Sequence, residues 1–131
     1  MNNETAIKAL EKGRAQFAYR CAEEASKKNF KKEYRSYVKK IPSMILSNGL
    51  GQTLAFIKSK AKNGNAYDYI YNQITDYMKS EHTSRIRMQN NQELVKWVIS
   101  CDSTTYRYIT QEILAFFNWL RRFAEGLIKE D

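Results

Sequence analysis

The chain has one proline, five glycines, two cysteines and one histidine in 131 residues, and each scarcity excludes something. So few breaking residues favour long helices over many short strands. No strict apolar–polar alternation runs beyond a few residues and β-branched residues are sparse, which argues against a sheet. Cys21 and Cys101 are too few for a disulfide framework and lack metal-ligand spacing; set among apolar helical neighbours, they read as reduced core thiols. His82, in a polar stretch, has no second histidine for a metal site and no Ser/Cys–His arrangement for nucleophilic catalysis. The longest apolar run is five residues, 113–117. That is too short for a spanning helix, and the N-terminus has no apolar core of signal-peptide type, so the expected location is the cytoplasm with no membrane partner.

What is present describes a globular helical chain. Hydrophobic residues make up 43% and aromatic residues 13%, which excludes a disordered chain. The length suits one domain, 1–131, able to bury about two-thirds of its unfolded surface. The expected class is all-α, a compact bundle of six or seven helices.

The net charge of +8 is unevenly placed. Residues 1–62 hold fourteen Lys/Arg against five Asp/Glu, a net +9, whereas residues 63–131 hold eight against nine, a net −1. A basic half beside a near-neutral half points to a polyanion on one side of the molecule, without saying which.

Residues 5–28 read as a first helix, with Ile7, Leu10, Phe17, Cys21 and Ala25 on one stripe that Arg14 interrupts. Gly13 weakens this helix by up to ~1 kcal/mol relative to alanine. A second helix covers residues 30–40. Pro42 suits the first turn of a short third helix at 42–47, closed by Asn48-Gly49. The fourth runs from Leu50 to a stop at Asn63-Gly64. It carries Leu54, Ile57 and Ala61 on one face and Ala55 and Phe56 on another, the pattern of a helix between neighbours. A fifth helix covers 66–78 with Ile70, Ile74 and Tyr77 in phase, then a polar loop covers 82–92. A short helix at 93–100 precedes a long last one, capped by Asp102 or Ser103 and reaching about residue 128.

The second helix is the most suggestive for function. Phe30, Tyr34, Tyr37, Val38 and Ile41 fall within about 100° of arc. Lys31, Lys32, Arg35 and Lys39 fall opposite, as a row of positive charge able to follow a phosphate backbone. Lys58, Lys60 and Lys62 end the fourth helix, where they also complement its dipole; they are second-tier contacts. Arg122 lies on the polar stripe of the last helix, whereas Arg121 borders its apolar face, where the stem can pack. Along that helix Tyr106, Ile113, Phe117, Leu120, Ala124 and Leu127 make the inward stripe. Phe116, Trp119 and Phe123 widen it into a candidate subunit interface, unless another helix of the domain covers them. Tyr67 and Tyr71 share a face with Ile70 and Ile74 and read as core rather than as base-stacking groups.

Nothing converges on a reaction centre. Gly49-Leu50-Gly51 lacks the third glycine and the Lys-Ser/Thr of a phosphate loop. The adjacent carboxylates Glu23-Glu24 and Glu130-Asp131 point apart on a helix, whereas acid–base catalysis needs groups held on one centre. The reading is a non-enzyme, with no metal and no cofactor.

The block IPSMILSNGLGQTLAFIKSK at 41–60 resembles a signature of the small helical subunit of the type III-B (Cmr) CRISPR effector complex, an RNA-guided, RNA-targeting assembly. YRYITQEILAFFNWLRRFAEGLI at 106–128 resembles that family's last helix, and residues 15–25 and FKKEYRSYVKK at 30–40 are similar in spacing and character. The resemblance implies a non-catalytic subunit whose copies stack into a short filament and help to hold guide and target RNA in antiviral defence. Other subunits of the complex would be its partners and would perform the chemistry. A basic face would then follow the ribose-phosphate strand, because guide pairing supplies the sequence specificity. A small basic DNA-binding regulator and a pure protein adaptor remain as alternatives; the 41–60 block favours type III-B over the sister type III-A subunit.

Overall fold

The computed structural model describes residues 3–83 and 86–130. Six α-helices and one 3₁₀ turn follow in order: α1 (Asn3–Ala25), α2 (Lys31–Asn48), α3 (Leu50–Lys60), α4 (Ala66–Lys79), the turn Glu81–Thr83, α5 (Leu94–Ser100) and α6 (Ser103–Leu127). No strand occurs among the described residues, and the all-α bundle expected from composition is what forms. Ser84 and Arg85 of the polar loop, and Asp131 of the last acidic pair, lie outside the described residues.

The helix starts follow capping chemistry. Asn65 accepts a hydrogen bond from Asp68 N–H, Glu93 from Lys96 N–H and Asp102 from Thr105 N–H, each satisfying an amide that the helix leaves open. Asp102, not Ser103, is therefore the cap of α6. The turn between α2 and α3 is a single residue: Gly49 takes φ +87°, and its N–H closes on the Ile45 carbonyl at 2.8 Å.

One expected boundary is absent. Pro42 lies inside α2, so the second and third helices of the sequence reading are one helix. Proline there cannot donate to the Val38 carbonyl, a defect that costs ~3 kcal/mol in a helix interior. What carries the helix through is the buried stripe Tyr34, Val38, Ile41 and Ile45, which stays in phase on both sides of the proline. Burial of each such apolar side chain contributes about 1.5–3 kcal/mol, enough together to outweigh the defect.

Helix α6 is the spine. α1 packs along it in the same direction, with Phe17 against Phe116 and Tyr19 against Phe123. α2 runs the opposite way: Arg35 lies beside Glu130, while Gly51, just beyond its far end, donates its N–H to Tyr106 Oη at 2.8 Å. α4 packs on α2 and α3, and α5 on α3 and α6. Gln73 of α4 ties two layers together, accepting from Tyr34 Oη and donating to the Cys21 carbonyl at 3.0 Å.

The apolar stripe of α1 is shorter than its sequence suggests. Ala18, Cys21, Ala22 and Ala25 are buried and Phe17 half-buried, but Ile7 and Leu10 are exposed. Arg14 is not an interruption of the stripe. It is buried, with Nη2 2.9 Å and Nε 3.0 Å from Glu112 Oε2 of α6, while Tyr77 Oη donates to the same oxygen at 2.7 Å. Gly13 has a structural reason as well, because a Cβ there would lie 2.5 Å from Nδ1 of His82. α3 is buried on one face only: Leu50, Thr53, Leu54 and Ile57 point inward, Phe56 is half-buried against Tyr67, and Ala55 is exposed.

Both cysteines are free thiols. Burial, with Glu24 nearby, pushes the Cys21 thiol up to about 12, so it stays protonated at neutral pH. Cys101 is only half-buried, at the end of α5, where its Sγ lies 3.2 Å from the Trp97 carbonyl.

Candidate nucleic-acid interface

The two faces of α2 separate as the helical wheel requires. Tyr34, Val38 and Ile41 are buried, Phe30 and Tyr37 pack at the margin, and Lys31, Lys32 and Lys39 stand exposed, Lys32 and Lys39 opposite the buried stripe and Lys31 at its edge in the first turn. Arg35 departs from the expected row of four free cations. Its side chain is only 17% exposed and its Nη1 lies 3.8 Å from Glu130 Oε1. The presented row is therefore three lysines with a partly enclosed arginine between them.

The aromatic face is occupied from within. Tyr37 stacks on Tyr67 at 3.9 Å between ring centroids, and Phe30 lies 5.3 Å from Tyr69. Tyr71 is buried. These rings serve packing. Two cations beyond the sequence-derived set extend the charge: Lys40 Nζ sits 5.1 Å above the Tyr37 ring and Lys28 Nζ 5.7 Å above Tyr69. Both belong to adjacent lysine pairs, Lys27-Lys28 and Lys39-Lys40, which was the signal available in the sequence.

The second-tier residues divide. Lys60 is exposed, its Nζ 5.8 Å from the Phe56 ring, and Lys62 and Arg122 are exposed. Arg121 sits 4.0 Å from Glu125 one turn on. Lys58 is engaged by its own fold: Nζ lies 2.8 Å from Glu93 Oε2 and 5.3 Å from the Tyr71 ring. Tyr71 Oη donates to that same carboxylate oxygen.

Burial alone would raise the Glu93 carboxyl, but hydrogen bonds from Lys58, Tyr71 and the Lys96 amide outweigh it and hold it down at about 2. A carboxyl depressed on folding contributes stability above its ordinary value near 4.5, and that contribution is lost as pH falls towards 2. Both side chains of the pair are well solvated, so the contribution is about 1 kcal/mol rather than the full shift. Glu93→Gln is accordingly expected to lower stability to urea by about 1 kcal/mol at neutral pH. The gap from the unaltered protein should narrow in acid; a gap independent of pH would exclude this network as its source.

On α6, Phe116 is not at an interface. It is 0% exposed, stacked on Tyr77 at 4.4 Å, and belongs to the core. Phe17 of α1 and Tyr77 of α4 cover it, and the wide apolar arc of α6 reflects packing against both α1 and α2. Trp119 and Phe123 stack on each other at 5.7 Å and remain half-buried beside Tyr19. Leu127, expected to point inward, is exposed, and Tyr106 is half-buried. Among the described residues no group of three or more His, Cys, Asp or Glu is placed to hold a metal ion, and no helix is long and apolar enough to cross a membrane.

This arrangement has known counterparts. Residues 10–127 match the family model described as CRISPR-associated protein (Cas_Cmr5). The chain is 31% identical over 116 residues to the CRISPR system Cmr subunit Cmr5 of Thermus thermophilus, covering 88% of this chain and 93% of that one. It superposes with a TM-score of 0.76 on the X-ray crystal structure of a CRISPR-associated Cmr5 family protein from the same organism, at 28% identity, covering 92% of this chain and 98% of the other. A family match over almost the whole helical bundle, with a relative of matching length, is decisive: the chain belongs to the Cmr5 family of CRISPR-associated proteins.

Proposed function

We propose that this small subunit of a type III-B Cmr system is non-catalytic and that the outer face of α2 lies along guide or target RNA in the assembled complex. The observation that carries the reading is the separation on α2, where Lys31, Lys32 and Lys39 stand exposed outside a stripe committed to the core. Successive turns of such a helix place charges ~5–6 Å apart, on the scale of neighbouring phosphates. Lysines act as point charges, which suits a backbone contact that reads no sequence. Lys60, Lys62 and Arg122 are auxiliary contacts; Lys58, already neutralised by Glu93, contributes little. The excess of +9 in residues 1–62 would add long-range attraction for RNA.

Trp119 and Phe123, together with exposed Tyr19 and Leu127, form an apolar margin suited to contact with a neighbouring subunit, another copy of this chain included. The role belongs in the cytoplasm, where guide and target RNA are met. Reversing the charge of Lys31, Lys32 and Lys39 tests the RNA-facing assignment directly. Against a DNA-binding regulator stands the absence from the α2 face of the Asn/Gln/Arg mixture that reads base edges. A pure adaptor would show RNA retention indifferent to these lysines.

A further inference from the structure

Between α2 and the segment that follows α6 lies a small cleft of about 160 Å³, lined by Lys32, Arg35, Ser36, Lys39 and Glu130. Four of the five residues come from α2, three of them cationic, and Glu130 alone forms the opposite wall. Arg35 is the centre of the cleft. Lys32 lies one turn before it and Lys39 one turn after it, on the same side of the helix.

Two features of Arg35 point to a missing partner. Its Nε is closed off from solvent and has no hydrogen-bond partner among the described residues. A buried donor left open costs free energy, the more so on a charged group. Among the described residues its Nη1 has one ion-pair partner, Glu130 Oε1 at 3.8 Å, on a carboxylate that is 84% exposed. That is a loose ion pair, too long for a hydrogen bond. The guanidinium is built to take a planar or tetrahedral oxyanion through Nε–H and Nη2–H at once, and here Nε–H has no partner among the described residues while Glu130 meets only the opposite edge, at Nη1.

We infer that this cleft is a seat for a single tetrahedral oxyanion, the phosphate of a phosphodiester or free phosphate, and that Glu130 is a displaceable stand-in for it. The inference deepens the RNA-facing reading of α2, on which it rests for the source of the phosphate. Before a phosphate binds, the Glu130 carboxylate neutralises part of the cluster. When a phosphate enters, Glu130 gives way, Arg35 Nε and Nη2, whose N–H groups point the same way, take two of its oxygens, and Lys32 and Lys39 supply flanking charge. Ser36 Oγ, at the cleft wall, is a neutral donor for a third oxygen. Glu130 thereby becomes an electrostatic stop that sets how tightly the row on α2 holds a strand.

The test follows the Arg35 Nε–Hε resonance of the intact, isotopically labelled protein during titration with inorganic phosphate, and separately with a short oligouridylate. The expected result is a saturable shift of that resonance in both arms, with inorganic phosphate the weaker. Glu130→Gln, at an exposed position, should tighten phosphate binding by about threefold to tenfold through loss of one nearby negative charge. Arg35→Lys keeps the charge but loses the fork, and should abolish saturation while the backbone spectrum stays folded. A response to phosphate alone would make the site a free-anion seat and remove its link to RNA. An unmoved Arg35 resonance, or Arg35→Lys binding as the unaltered protein does, would overturn the seat. Because Lys31 lies outside the cleft, failure of the seat is distinguishable from failure of the basic-face reading, which charge reversal at Lys31 alone tests without altering the seat.

Discussion

Replacing Lys31, Lys32 and Lys39 together with glutamate is expected to leave the bundle folded and to weaken capture of target RNA by the assembled complex by ~10²-fold or more at physiological salt. All three side chains are exposed, so the change touches no core contact. Surface substitutions of that kind normally alter stability by no more than about 0.5 kcal/mol each. Each lysine that neutralises a single-strand phosphate contributes about −0.7 to the slope of log affinity against log salt, so losing three contacts should flatten the slope by about 2. The slope is the more discriminating readout, because a general loss of assembly would lower affinity without changing it in this way. Replacing Lys58, whose charge already faces Glu93 at 2.8 Å, should change the slope little. A triple variant that binds RNA with the affinity and slope of the unaltered complex would leave the protein-adaptor reading.

The second large effect concerns stability. Glu112→Ala is expected to destabilise the isolated protein by ~3–5 kcal/mol, because it strands a buried guanidinium. The Arg14 and Glu112 side chains are 10% and 14% exposed, and Glu112 Oε2 is the shared acceptor for Arg14 and Tyr77. Tyr77 cannot replace that charge: burial, then its bond to Glu112, push its phenol well above the usual range, so it stays neutral. Against a total stability of about 5–15 kcal/mol for a domain, the loss is a large fraction, equivalent to ~10 °C or more in Tm. Glu11, the other carboxylate near Arg14, is 51% exposed and pairs at 3.2 Å, so Glu11→Ala should cost under ~1 kcal/mol. Arg14→Met combined with Glu112→Leu should recover most of the loss, since the cost lies in the unpaired charge rather than in the missing bond. Calorimetry of the four proteins checks this, and near-native stability of Glu112→Ala alone would show that Arg14 reaches water.

The sequence made the helical class and nearly every helix legible because the apolar stripes of α2, α4 and α6 repeat at helical spacing and the starts of α4, α5 and α6 carry their caps. The structure departs from the sequence expectation where a local rule competes with the periodic one. Pro42 by itself suits a first turn, yet Val38, Ile41 and Ile45 are in phase across it. Arg14 looked like a break in a stripe; its partner, Glu112, is 98 residues away and nothing local names it. Phe116 is surplus to a single inward stripe because α6 packs along both α1 and α2 and Tyr77 of α4 reaches its ring, and the number of neighbours a helix has is a tertiary fact.

The candidate site was half legible for the same reason. Wheel geometry gave the outward direction of Lys31, Lys32 and Lys39, since it depends only on the helix to which they belong. The enclosure of Arg35 depends on Glu130, nearly a hundred residues on, and on the antiparallel course of α2 along α6 that brings the two together. The pairing of Lys58 with Glu93 likewise needs α3 and α5 to pack.

The most direct test of the central claim is to purify this protein from its host at native level and sequence the RNA that accompanies it. The account predicts larger partner subunits together with short RNAs that share one repeat-derived end and vary in spacer sequence. A preparation free of RNA, with the protein alone or held on one DNA sequence, would contradict it.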